Sequence, residues 1–258
     1  MDKTARVRRR ILALFLPLTA VLYVSCEALN PKGTDILILT MADALKVLPI
    51  AARHPGQLYV SGSLSLLALG ALAVSWVAIA TLVRGRGAVL ATVAALLGAV
   101  GAFCGALVNV LGGVNLAAAA TAPISHEAAG HFLVTSFNSG FEHVFSSVYF
   151  AGIYLAPVLM GIALWRSRSV PRWLTVLFVA GLELAQQVPS AGPVKVVLLM
   201  LPFAVAMVLL AAHVWQAAAS PASHGDPHPG PASSPSGEPA GTGAVRELAG
   251  PGTAAYHR

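Results

Sequence analysis

Apolar positions dominate this chain in long runs, and the polar positions collect between them. A helix needs ~20 apolar residues to cross a ~30 Å hydrocarbon core. The runs predict spans at about 11–27, 58–83, 88–111, 144–165, 173–188 and 194–215. The fifth is the shortest and turns polar near its end. Residues 34–53 follow another pattern. Asp35, Asp43, Lys46 and Arg53 share one stripe at roughly 100° per residue, and apolar side chains occupy the other faces. This predicts an interfacial helix on the outer membrane surface, capped by Thr34 and ended by Pro49 and the His54-Pro55-Gly56 turn. As a span it would bury Asp43 and Lys46, each costing at least about 2.5 kcal/mol. From about Ala217 the chain is rich in Pro, Gly, Ser and Ala without apolar periodicity. Such a segment buries too little surface to offset its ordering entropy. The expected organisation is therefore all-α: a six-helix membrane domain at 1–216 and a disordered cytoplasmic tail at 217–258.

Composition sharpens this reading. Hydrophobic residues make up 57% and charged residues 10%, with a mean hydropathy of +0.76. A soluble domain carries roughly 25% charged residues, so in water most of this surface would be apolar. The lipid bilayer is the expected partner. A second copy or another membrane protein is left open. The net charge is +6, but the basic residues flank apolar runs and no nucleic-acid motif is present. No cofactor motif is present either. Cys26 and Cys104 are expected at different depths, as small packing residues with no disulfide between them.

The distribution of Lys and Arg gives an orientation. With the N-terminus inside, 12 of the 16 basic residues fall in inner segments. They lie before the first span, at Arg84 and Arg86, at Arg166, Arg168 and Arg172, and in the tail. The expected topology is N-in and C-in, in a bacterial cytoplasmic membrane. The basic start also suits a signal peptide, and Leu22 to Cys26 faintly resembles a lipoprotein cleavage site. Tyr23 stands where such sites take an aliphatic residue, so a retained first helix is the plainer reading.

Few residues are candidates for chemistry. His126-Glu127-Ala128-Ala129-Gly130-His131 approaches the HExxH zinc motif, but its second His falls at i+5, about 140° around the helix. Glu127 and His131 do share a face, as an ion pair on a short helix capped by Ser125 would. With Glu142 and His143 they form an outer cluster that could hold a divalent metal or titrate near pH ~6.5. Glu183 lies within the fifth span, with Gln186 and Gln187 on its face, and an intramembrane carboxyl group is a functional candidate by default. Gly98, Gly101 and Gly105 form a packing stripe that Asn109 continues. Asn109, Glu183 and Gln187 could therefore meet in one outward-opening polar pocket. The aromatics Phe132, Phe137, Phe141, Phe145, Tyr149, Phe150 and Tyr154 read as an interfacial belt rather than a ligand box.

Two short stretches carry a resemblance. They are Ala52-Arg53-His54-Pro55-Gly56-Gln57 and Leu82-Val83-Arg84-Gly85-Arg86-Gly87. Over about residues 30–115 the chain resembles multi-pass membrane proteins of unknown function common in high-GC bacteria. The resemblance implies a multi-pass fold and brings no site residue with it. Three functional readings follow. The first is a non-enzymatic membrane protein, either accessory or a small-solute or ion pathway. The second is a metal-dependent hydrolase using His126, Glu127, His131, Glu142 and His143. The third is an envelope sensor with the outer loop as input and the tail as output.

Overall fold

The computed structural model describes residues 3–34, 38, 40–186 and 193–219. All of its regular structure is helical: α1 (Lys3–Leu29), α2 (Met41–Arg53), α3 (Pro55–Ala80), α4 (Ala88–Thr121), α5 (His126–Phe137), α6 (Gly140–Ser167), α7 (Arg172–Gln186) and α8 (Pro193–Ala219). The described residues belong to a unit at Met1–Pro221, and residues 222–258 lie outside them. The predicted tail is thus outside the described residues, except that α8 continues through its first three positions.

Among the described residues, five helices are long and apolar enough to cross a membrane: α1, α3, α4, α6 and α8. The fifth predicted span corresponds to α7, whose 15 residues extend about 22 Å. The last two positions of the predicted span, 187 and 188, lie outside the described residues. At the other extreme, α4 has 34 residues and is about 51 Å long. It outruns its predicted end at residue 111 because Gly112, Gly113 and Asn115 continue the helix rather than break it.

Large apolar side chains stay exposed in regular stripes. On α1 these are Val7, Ile11, Leu14, Leu18 and Val21; on α4 they are Val89, Val93, Leu96, Val100 and Phe103. The spacing follows one face of each helix. An exposed apolar stripe along a whole helix calls for a lipid environment. The chain is membrane-embedded on this evidence together with helix length.

The opposite faces pack together. α1 lies against α3 and α8, α3 against α4, α4 against α6, and α7 lies between α6 and α8. These six helices close a ring around a core containing Leu16, Leu69, Trp76, Met160, Phe178, Phe203 and Met207. The glycine stripe of α4 lets the helices approach. A Cβ at Gly98 would stand 2.5 Å from the Trp76 ring, and one at Gly101 would stand 2.6 Å from the Gly152 Cα. A Cβ at Gly105 would strike the Tyr149 ring. The turn into α4 also needs glycine: Gly87 has φ +107° and its Cβ would meet the Ala163 carbonyl oxygen at 3.0 Å.

Helices α2 and α5 pack against each other and against the far end of α4. Ala44, Val47, Leu48 and Ala51 of α2 are fully buried beside Leu116, Ala117, Ala129 and Leu133. Much of the apolar face predicted to lie on lipid therefore lies on protein. The boundaries of this helix also differ from prediction. Thr34 does not cap it; its hydroxyl donates to the Pro31 carbonyl at 2.6 Å. Thr40 is the cap, in a reciprocal box with Asp43: the Thr40 amide donates to the Asp43 carboxylate at 3.0 Å, and the Asp43 amide donates to the Thr40 hydroxyl at 3.3 Å. Pro49 does not end it, and the helix continues to Arg53.

Candidate polar cavity between the helices

The ring is dry at one end and hollow at the other. Near the ends of α1, α4 and α7 and the starts of α3 and α6, the helices surround a cavity of about 490 Å³. Three of the helices bring short polar stripes and two bring a single polar residue. α1 supplies Tyr23 and Glu27 at i, i+4; α3 supplies Ser61 and Ser65 with the same spacing; α6 supplies Glu142, Ser146 and Tyr149 at i, i+4, i+7. α4 contributes Asn109, and α7 contributes Gln186. Such spacings put the side chains on one face of a helix, and here that face is turned inward. The space itself comes from small residues: Gly62 on α3 and Gly112 and Gly113 on α4 all line it.

The polar groups hold one another in place. The Gln186 amide donates to the Tyr23 hydroxyl at 3.1 Å, which clips the end of α7 to α1. The Tyr149 hydroxyl is within side-chain hydrogen-bonding reach of Tyr23 and Asn109. Glu27 is an electrostatic neighbour of both phenols. Ser146 donates to the Glu142 carboxylate at 3.4 Å. Asn30 and Thr34, past the end of α1, add a rim bond of 3.2 Å from the Thr34 hydroxyl to the Asn30 side-chain oxygen. A cavity of several hundred Å³ with convergent polar groups is the usual form of a small-molecule site.

The predicted pocket residues separate. Asn109 lines the cavity. Glu183 is half-buried, one turn before Gln186, and does not line the cavity; its Oε1 is buried with no hydrogen-bond partner among the described residues. The inward face of α7 is Phe178, Gly181, Leu182 and Ala185, and Glu183 falls beside it. Gln187 lies outside the described residues, and its neighbour Gln186 occupies the wall.

The predicted metal cluster does not assemble. Glu142 lines the cavity, while His126, Glu127, His131 and His143 are exposed on α5 and the first turn of α6. Among the described residues no three His, Cys, Asp or Glu side chains are placed to hold a metal ion. The local prediction was sounder than the cluster: α5 starts at His126, and the Ser125 hydroxyl accepts the Ala128 amide at 3.2 Å. The aromatic belt also divides. Phe132 and Phe141 are about half exposed, whereas Phe137, Tyr149 and Tyr154 line the cavity, and Phe150 does both.

Glu27, Tyr23, Ser61, Ser65, Ser146 and Gln186 were not singled out as site residues from the sequence. For all but Gln186 the signal was nevertheless present, as polar pairs at i, i+4 in largely apolar helices. No protein-family model matches the chain, and neither a curated protein nor a solved structure matches it.

Proposed function

We propose that this is a non-enzymatic membrane protein of a bacterial cytoplasmic membrane whose polar cavity binds a small solute from the outer side. In this reading α7, with its continuation, is the sixth crossing, and both termini are inside. The reading rests on one observation: a cavity of about 490 Å³ walled by hydrogen-bonding side chains from five helices. Apolar packing alone gives no reason to gather Tyr23, Glu27, Asn109, Tyr149 and Gln186 around it. The orientation rests on the arginines. Arg6, Arg8, Arg9, Arg10, Arg84, Arg86, Arg166, Arg168 and Arg172 all belong to the helix ends opposite the cavity. Positive-inside bias puts that end in the cytoplasm and the cavity outside. The α2–α5 pair then sits as an outer cap on protein, with its polar face toward water.

Cysteine labelling tests this. Cys26 and Cys104 are both buried, so Cys26→Ser and Cys104→Ala give a silent background. In that background Asn109→Cys should react with a membrane-impermeant maleimide added to intact cells. A substitution on the dry side of α4, Ala94→Cys, should stay unlabelled. Asn109→Cys that labels only after the cells are opened would overturn the outward-facing site.

A further inference from the structure

The cavity wall has a sign. Among the described residues lining it are two carboxyl groups, Glu27 and Glu142, and no Lys, Arg or His. Its remaining polar atoms are largely oxygens of Tyr, Ser, Thr, Asn and Gln, which can turn lone pairs toward a ligand. Two carboxylates between low-dielectric walls set up a negative potential that concentrates cations. A bound cation in turn favours the ionised carboxylates.

The wall also has aromatic character. Tyr23, Tyr149, Phe150, Tyr154 and Phe137 line the cavity. Tyr149 and Phe150 have ring centroids 5.3 Å apart, and the Phe150 and Tyr154 rings are stacked at 6.2 Å. Aromatic faces attract alkylammonium groups and hold them by their apolar shell as well as their charge. A transition-metal ion needs several close imidazole, thiolate or carboxylate ligands, and no such group of three exists among the described residues. The volume is also far larger than one ion requires.

We infer that the cavity takes an organic cation, a small amine or quaternary ammonium compound. Glu27 and Glu142 would supply the counter-charge, and the tyrosine and phenylalanine rings would receive the alkyl shell. This rests on the solute-binding reading above and adds the ligand class to it.

Choline and its uncharged isostere 3,3-dimethylbutan-1-ol separate charge from shape. The full chain in lipid nanodiscs is titrated with choline, tetraethylammonium and agmatine, then with the isostere and with acetate. At least one cation should bind saturably, and the isostere should bind at least about tenfold more weakly than choline. Glu27→Gln and Glu142→Gln should each weaken cation binding about tenfold without changing the melting temperature or the affinity for the isostere. Glu183→Gln, outside the wall, should leave cation binding unchanged. Binding of the isostere or acetate in preference to all three cations would overturn the cation inference and leave the solute site standing. Equal cation binding in both carboxamide variants and the wild type would do the same. No saturable binding by any of the five probes would overturn the inference and the solute-binding reading together.

Discussion

The same six helices build two different interiors. In the half near the arginines, α1, α3, α4, α6, α7 and α8 meet through Leu16, Leu69, Trp76, Ala94, Met160, Leu174 and Leu210, all buried. One inter-helix polar contact there joins α1 to α3: the Thr19 and Ser75 hydroxyls meet at 2.9 Å, and Thr19 also donates to the Phe15 carbonyl at 2.7 Å. In the other half the helices keep their neighbours but no longer fill the space between them. Serines replace leucines on α3, and Gly112 and Gly113 leave α4 without side chains there. The lesson is that the bundle is not uniformly packed. Its dry half can fix the helices, so its hollow half can hold polar groups apart. Glycine links the two halves: Gly98 and Gly101 close the packing against Trp76 and Gly152, and Gly105 makes room for Tyr149 at the cavity edge.

Substitutions should reveal this division. The largest effect is expected in the dry half. Trp76→Ala removes the ring that fills the gap beside Gly98 and meets Phe178 edge-on at 5.8 Å. It should cost roughly 3–5 kcal/mol, read as loss of monodisperse protein or a collapsed unfolding midpoint in detergent. Gly101→Ala should cost roughly 1–3 kcal/mol, because its methyl meets backbone at Gly152 rather than a side chain that can turn away. Thr40→Ala should cost about 1 kcal/mol by removing the α2 cap; local hydrogen exchange at the start of α2 reads it better than global unfolding does. The smallest effect belongs to the hollow half. Ser65→Ala should change stability by less than about 0.5 kcal/mol, since Ser65 is half-buried and faces the cavity. A Ser65→Ala as damaging as Gly101→Ala would erase the distinction between the halves.

Much of this arrangement was legible in the residues, and the failures have definite causes. Apolar runs located the long helices because a bilayer leaves few alternatives for the backbone. Ser125 was readable as a cap because capping is local. The α4 glycines were readable as a packing stripe because small side chains at helical spacing have one obvious use. The partners were not readable: nothing local says that Gly101 meets Gly152 or that Gly105 meets Tyr149. For α2, amphipathicity showed that one face is covered but not by what, so the outer membrane surface was predicted where α4 and α5 stand. Thr34 looked like a cap, yet Thr40 with Asp43 three residues on was the stronger signature. Among site residues, Asn109 was found because an amide in an apolar helix stands out. Glu27 was passed over because it falls at the end of its run, where a carboxylate looks like mere punctuation. Gln186 and Gln187 are adjacent, and which one faces inward depends on the rotation of α7, which packing sets.

The central claim is that the dry, arginine-bearing end faces the cytoplasm and the cavity end faces outward, with α7 completing six crossings. Alkaline phosphatase, active only outside the cytoplasm, tests this directly as a pair of fusions, one after Asn138 between α5 and α6 and one after Ala219 at the end of α8. The account predicts activity from the first and none from the second. Activity from both fusions would mean that α7 does not cross, and silence from the Asn138 fusion would put the cavity inside; either result would contradict it.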